Sequence, residues 1–355
     1  MDDIIVLDTN LEPVDILDVY NSIIWTERYS AAGDFEVFTP MSISAYSLLQ
    51  PDHYLKLKSS NNLMIIEGRR IASDSEQGDQ LVVTGRSLES ILDRRIVWDQ
   101  TIMTGDFQTN MLVMLLDNAI DAADTARNIP NFDYVASDNS YILGLEVEKQ
   151  VHGELIYDVI KDACDAANLG FRIHLNSSNQ FIFEFYYGVD RSFDQLLNPW
   201  VVFSSKYENI INSNYIYNKM PYKTVSLVLG AGEGSARKGV SISRNSDTGL
   251  YRREMYTDAS SLAEEEDGVP IPEIDYLAQL TQKGAEELVK NDVLDVFEGE
   301  VETVGSFIFK KDFDLGDLVQ IEDKYGNSGK ARVTEIIRSS SPTGSIIYPT
   351  FKTVE

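Results

Sequence analysis

Cysteine is all but missing from this 355-residue chain, in which Cys164 stands alone. That excludes a disulfide framework and a thiolate metal site. Cys164 lies among Ala163, Ala166 and Ala167 on a helical spacing, where a thiol is an inert packing group. Histidine is scarce too: His53, His152 and His174 are far apart, and none belongs to an H-E-x-x-H pattern. There is no G-x-S-x-G elbow. No apolar run approaches the roughly 18 residues of a membrane span. The start, Met1-Asp2-Asp3, lacks the basic residues of a signal peptide, so a chain made and folded in a cytosol is expected. Basic residues are the last shortage, 30 Lys and Arg against 57 Asp and Glu, a net charge of −27. A surface that grips phosphates needs a basic stripe, and the sequence shows none.

The acid is concentrated. Residues 99–165 hold 13 acidic against 3 basic side chains, and residues 258–302 hold 14 against 2. Either this is a solvated, self-repelling surface or it is a surface that must not bind DNA. Apolar residues make up 43% and aromatics 10%, which is a globular composition. Abundant Tyr and Phe with few helical patterns favour a mainly β chain. The length favours two or three subdomains.

Residues 1–100 read as six short strands: Ile4 to Leu7, Ile23 to Trp25, Phe35 to Phe38, Tyr54 to Leu57, Leu63 to Ile66 and Leu81 to Thr84. Ser59 to Asn62 make a hairpin turn, and the set predicts a small barrel or sandwich. The period then changes. Asp106 is placed to cap a helix over about 107–123. A second helix begins near Gly153, with Leu155, Val159, Ala163 and Ala166 on one face and Gly170 as its stop. Strands at Phe171 to Leu175 and Phe181 to Phe185 complete an α/β segment, 101–198. Strands dominate again over 199–262 and 300–355. Between them lie an acidic loop and a helix of about 272–291, with Ile274, Leu277, Ala278, Leu288 and Val289 as its buried face.

Three stretches invite a chemical reading. Gly230-Ala-Gly232-Glu-Gly234 follows a strand, but Ser235 stands where a dinucleotide cradle needs its third glycine, and Arg237 leads into another strand. Asp312, Asp314 and Asp317 fall within six residues. They miss the calcium-loop template because Gly316 takes the third ligand position. As a glycosidase acid–base pair they lack any sequence evidence of spacing. As turn caps around Gly316 they need nothing further. Trp25 to Phe38 is an aromatic hairpin that turns at Gly33.

In order along the chain these pieces resemble a known family. The first is W-T-x-R-Y-x-x-x-G-x-F-E, with Trp25, Tyr29, Gly33 and Phe35. The second is V-F-S-x-x-Y-x-N, containing Tyr207. The third is Y-K-T-V-x-L-V-x-G-x-G-E-G-x-x-R, with Gly230, Gly232 and Arg237. The last is D-F-D-L-G-D-L-V followed by V-T-E-I. The set resembles the tail-tip or baseplate hub proteins of long-tailed phages and prophages, counterparts of the trimeric hub of T-even phages.

The resemblance implies an α+β, mainly β fold with two small β-barrel, tube-lining domains and an inserted α/β domain. The barrels would be residues 1–100 and 199–262 with 300–355; 101–198 would be the insertion, and 263–299 an acidic loop with a peripheral helix. It implies a structural virion protein of the distal tail, assembled in the bacterial host cytoplasm. The partners would be two further copies in a homotrimeric ring, distal tail or tube ring proteins, a receptor-binding or tail-fibre protein and the tape-measure protein. DNA would pass transiently, with no stable membrane insertion, no cofactor, no metal and no catalytic residue. Many relatives carry a C-terminal extension; this chain ends at Glu355, so the hub portion alone is expected. The competing classes are a tail-associated cell-wall glycosidase or peptidase and a carbohydrate-binding adhesin.

Overall fold

The computed structural model describes residues 3–58, 60, 62–74, 78–266, 268–301, 307–323, 325, 328–342 and 344–354. Strand exceeds helix, 44% against 21%, so the fold is mainly β. Two compact units divide the chain: residues 1–90, 170–215 and 296–355 form one, and 91–169 with 216–295 the other.

The first unit is built on a thirteen-stranded sheet. One half consists of β1 (Ile4–Leu7), β2 (Pro13–Leu17), β3 (Ser22–Arg28), β4 (Asp34–Pro40), β5 (Tyr54–Leu57), β6 (Leu63–Asp74) and β7 (Gly78–Ser87). The period-2 pattern works here as written: Phe35 and Val37 of β4 are buried while Glu36 and Phe38 are only partly so. β5 and β6 pair antiparallel up to Lys56 opposite Leu63. Ser59 and Asn61 of that turn lie outside the described residues. Trp25, Phe35, Val37, Leu55, Ile66 and Val83 share one core. A second core holds Phe203, Phe297, Phe313, Val319, Val333 and Phe351. Each fully buried aromatic removes some 150–250 Å² from water, worth about 4–6 kcal/mol at most.

The sheet order is Ile210–Asn218, Leu294–Val301, Gly344–Thr353, Ser328–Ser341, β3, β4, β7, β6, β5, β1, β2, with Leu318–Glu322 and Val202–Ser204 branching from it. This is an open path; among the described residues no pairing joins its ends and no closed barrel is formed. The reason lies in the 14-residue strand Ser328–Ser341. Its first residues pair with Leu318–Glu322, and Glu335 to Ser340 pair with β3 from Arg28 back to Ile23. One strand thus serves both cores and closes neither. Within the strand-rich region expected at 300–355, the segment Phe307 to Phe309 carries only an isolated bridge from Phe309 to Phe313.

In the second unit Asp106 caps the helix Phe107–Leu115, its carboxylate accepting from the Thr109 amide at 2.7 Å. The helix then widens into a π-helical turn, Leu116–Ile120, instead of running straight to 123. The helix Ile156–Ala166 buries Val159, Ala163 and Cys164, and burial pushes the Cys164 thiol well up. It stops at Asn168, which adopts φ 51°, and not at Gly170, which begins the strand Gly170–Leu175. The long helix Glu273–Lys290 packs on a three-stranded sheet of Gly239–Ser243, Val225–Leu229 and Glu254–Asp258. Its buried face is Tyr276, Leu280, Gly284 and Leu288, with Ile274 77% exposed. Gly284 sets that face, because a Cβ there would lie 2.3 Å from Ile242. A hydrophobic pattern gives glycine no weight and so misplaces the stripe.

Candidate functional site

Three of the four stretches that carry the resemblance meet in the first unit. Trp25 of β3 is fully buried beside Phe35, ring centroids 6.0 Å apart. β3 runs antiparallel to the strand that carries Thr334, Glu335 and Ile336, so the first and last stretches, some 300 residues apart, form one ladder. Arg28 locks them, pairing with Asp34 and Glu335 at 2.6 Å each and donating to the Ala32 carbonyl. Gly33 is required by contact: a Cβ there would sit 2.1 Å from the Thr26 oxygen. Its amide donates to Ser87 Oγ at 2.7 Å, and Ser87 donates to the buried Glu89 carboxylate. The Ile173 amide completes that carboxylate at 3.0 Å. Burial pushes the Glu89 carboxyl above the ordinary range against these hydrogen bonds.

Asp312, Asp314 and Asp317 do three different jobs. Asp312 accepts from the Ile308 amide at 2.7 Å. Asp314 accepts from the Leu315 amide and pairs with Lys310 at 2.9 Å. Asp317 alone is buried, accepting from Val189 N (2.7 Å), Asp314 N (2.9 Å) and Arg191 Nε (2.7 Å). Burial pushes its carboxyl up, and Arg191 and the amides work against that shift. Gly316, φ 86°, leaves room for Tyr29, whose ring would lie 2.2 Å from a Cβ at this position. The Tyr29 ring also fills the space above Gly170 and meets Tyr186 edge-on at 5.2 Å. Among the described residues no three His, Cys, Asp or Glu side chains converge as metal ligands. These aspartates are structural caps.

What Asp317 holds in place is a loop that sequence reasoning passed over. The Arg191 amide bonds the Leu318 carbonyl, and Val201 N closes the loop on Arg191 O at 3.0 Å. Gln195 organises the interior. Its Oε1 accepts from Leu197 N and Asn198 N, its Nε2 donates to the Ser192 and Asn198 carbonyls, and its own carbonyl accepts from Trp200 Nε1. Phe193 and Trp200 meet edge-on at 5.2 Å. On a loop held in this way, Leu196 and Leu197 stand 87% and 94% exposed. The one sequence signal was a Leu-Leu pair beside Asn-Pro-Trp in a polar stretch.

The second stretch is close by. Phe203 packs against Phe313 and Phe351 at 5.2 and 5.0 Å. Asn209 accepts from Ser204 N and donates to the Val202 carbonyl, which leaves Tyr207 64% exposed. The third stretch lies in the second unit and is the loop of an antiparallel hairpin, Leu229 opposite Gly239. The places a phosphate would need are taken by the chain itself. Tyr276 Oη accepts from the Ala231 amide and would crowd a Cβ on Gly230. Arg237 donates to the Gly230 and Leu229 carbonyls and pairs with Asp258. Gly232 supplies the turn with φ 101°.

This fold is that of phage tail proteins. The "tail protein from Neisseria meningitidis MC58" shares it (TM-score 0.60, 13% identity, 99% of this chain and 96% of that one). So does the prophage MuSo2 43 kDa tail protein from Shewanella oneidensis (0.61, 10%, 99% and 98%). Prophage tail protein gp18 from Listeria monocytogenes EGD-e matches at 0.53, with 12% identity over 99% and 95%. Residues 3–351 match the siphovirus ReqiPepy6 Gp37-like protein family, and the chain belongs to that family. No curated protein matches its sequence significantly.

Proposed function

We propose that the chain is a structural hub at the distal end of a phage tail, part of the virion and assembled in the cytoplasm of the bacterial host. Three copies form a ring that joins the last tube or distal-tail ring to the receptor-binding or tail-fibre protein. The channel holds the tape-measure protein and then passes DNA. The observation that carries this reading is the Asp317-anchored loop, whose two adjacent, almost fully exposed leucines a partner would cover. The open sheet supports it as well. Unpaired edges are a liability on a monomer and are removed in a closed ring.

On this reading residues 1–100, and 199–262 with 300–355, are the two barrel-like domains that line the tube. Residues 101–198 form an α/β domain outside it, and 263–299 a peripheral acidic loop and helix. The residues Trp25, Tyr29, Gly33, Phe35, Gly316 and Asp317 hold the seam. The net charge of −27 keeps DNA phosphates from sticking to the wall. The protein is not an enzyme and uses no cofactor.

Light scattering with negative-stain microscopy tests the reading, and a ring of three copies with a central hole is expected. Leu196→Asp with Leu197→Asp removes two side chains worth about 1.5–3 kcal/mol each on burial, so the assembly weakens about 10²- to 10⁴-fold. The fold itself keeps its melting temperature, since both residues are exposed. A compact monomer that degrades cell walls in a zymogram refutes the hub.

A further inference from the structure

Basic residues are few in this chain, yet the second unit gathers several into one surface. Thr224 is the stitch. Its amide donates to the Arg253 carbonyl at 2.8 Å, its Oγ1 accepts from Arg253 N at 2.9 Å, and its carbonyl accepts from Arg244 N at 3.0 Å. The Arg253 guanidinium donates to the Lys219 carbonyl. The Tyr222 ring has Lys219 over it at 5.1 Å and Arg244 at 5.6 Å. Residues 217–224 and 244–253, distant in sequence, become one surface with five bases and a single acid, Asp247. Arg244 and Arg252 reach carboxylates, on Asp292 and Glu254. Among the described residues, Lys219, Lys223 and Arg253 have no carboxylate partner. The same two segments carry Tyr217, Met220, Leu250 and Tyr251, all exposed, with Leu250 98% exposed.

Arg, Tyr and Met together are the composition of interface hot spots. The occupant follows from charge. Residues 258–275 of the same unit carry 7 acidic side chains and no Lys or Arg, and Glu265, Glu266 and Glu273 among them are exposed. Two copies, each at −27, repel unless their contact sets basic against acidic surface. We infer that the Lys219–Arg253 patch docks on the acidic surface of Glu265, Glu266 and Glu273 of a second copy of this chain. Donor and acceptor are different surfaces, so the contact is heterologous, and repeated head to tail it makes a ring when its rotation closes, as the hub reading requires. This rests on the hub reading and names the surface by which its copies recognise one another.

Charge reversal in the intact chain tests it. Lys219→Glu with Arg252→Glu is expected to raise the dissociation constant of the ring at least 30-fold, and Met220→Asp at least 10-fold. Lys56→Glu with Lys58→Glu, the same change in net charge at other exposed lysines, is expected to change it less than 3-fold. If rings form and the two charge pairs weaken them equally, or neither does, the inference falls and the hub reading stands. A wild-type chain that stays monomeric at 100 μM also overturns the inference; if it degrades cell walls as well, the hub reading falls with it.

Discussion

Replacing Asp317 separates a structural cap from a surface charge within one six-residue stretch. The Asp317→Ala variant strips the acceptor from Val189 N and Asp314 N and leaves the Arg191 guanidinium without its carboxylate. Arg191 and Asp317 side chains are 20% and 3% exposed, so solvent replaces little of what is lost. Breaking a buried ion pair from one side costs about 3–5 kcal/mol, and the orphaned amides keep the figure from falling below that range. The unit holding Asp317 has about 200 residues, for which 1 kcal/mol shifts the melting temperature by about 2–4 °C. A drop of roughly 10 °C in thermal unfolding followed by circular dichroism is therefore expected, with faster proteolysis within 190–200, whose start Arg191 and Val189 hold. The matched control is Asp312→Ala, whose carboxylate caps one exposed amide; it costs about 1 kcal/mol or less. Equal shifts for the two variants, or an Asp317→Ala shift under about 2 °C, would refute the assignment of Asp317 as the anchor.

Two further outcomes follow from the same unit. Because burial raises the Glu89 carboxyl in the folded state, the folded chain binds that proton more tightly than the unfolded one. Its contribution is full below the unfolded value, about 4.3, and is lost as pH rises through the folded value. Relative to Glu89→Gln, the wild type should therefore lose melting temperature as pH rises from about 4.5 to 8; parallel curves would exclude it. A Cβ at Gly188 would lie 1.9 Å from the Gly316 carbonyl carbon, and one at Gly33 2.1 Å from Thr26 O. Gly188→Ala and Gly33→Ala each cost at least about 2 kcal/mol by denaturant titration, while Gly329→Ala, which meets nothing within 4 Å, is neutral.

Most strands were legible because half-buried strands announce themselves by alternation. Tyr54–Leu57 and Phe181–Tyr186 appear where the pattern puts them, and Asp106 caps its helix as its residue type requires. The misses have a common cause, since each depends on a neighbour remote in sequence. Gly170 reads as a helix stop until Tyr29 is found against it. The stripe of Glu273–Lys290 is turned by Gly284 against Ile242. Phe307 to Phe309 has strand composition but no ladder to join.

The three aspartates illustrate the division most clearly. Their residue types and the glycine between them determined that the stretch is a tight capped turn, because side-chain oxygen and backbone amide lie within reach in any fold. Which one is buried, and that it anchors a loop 120 residues earlier in the chain, was decided by tertiary structure alone. The sequence likewise determined the sign and size of the net charge, since composition is independent of folding. The gathering of Lys219, Lys223 and Arg253 onto one surface is a matter of which strands pair, and pairing is settled by long-range burial that local pattern does not contain.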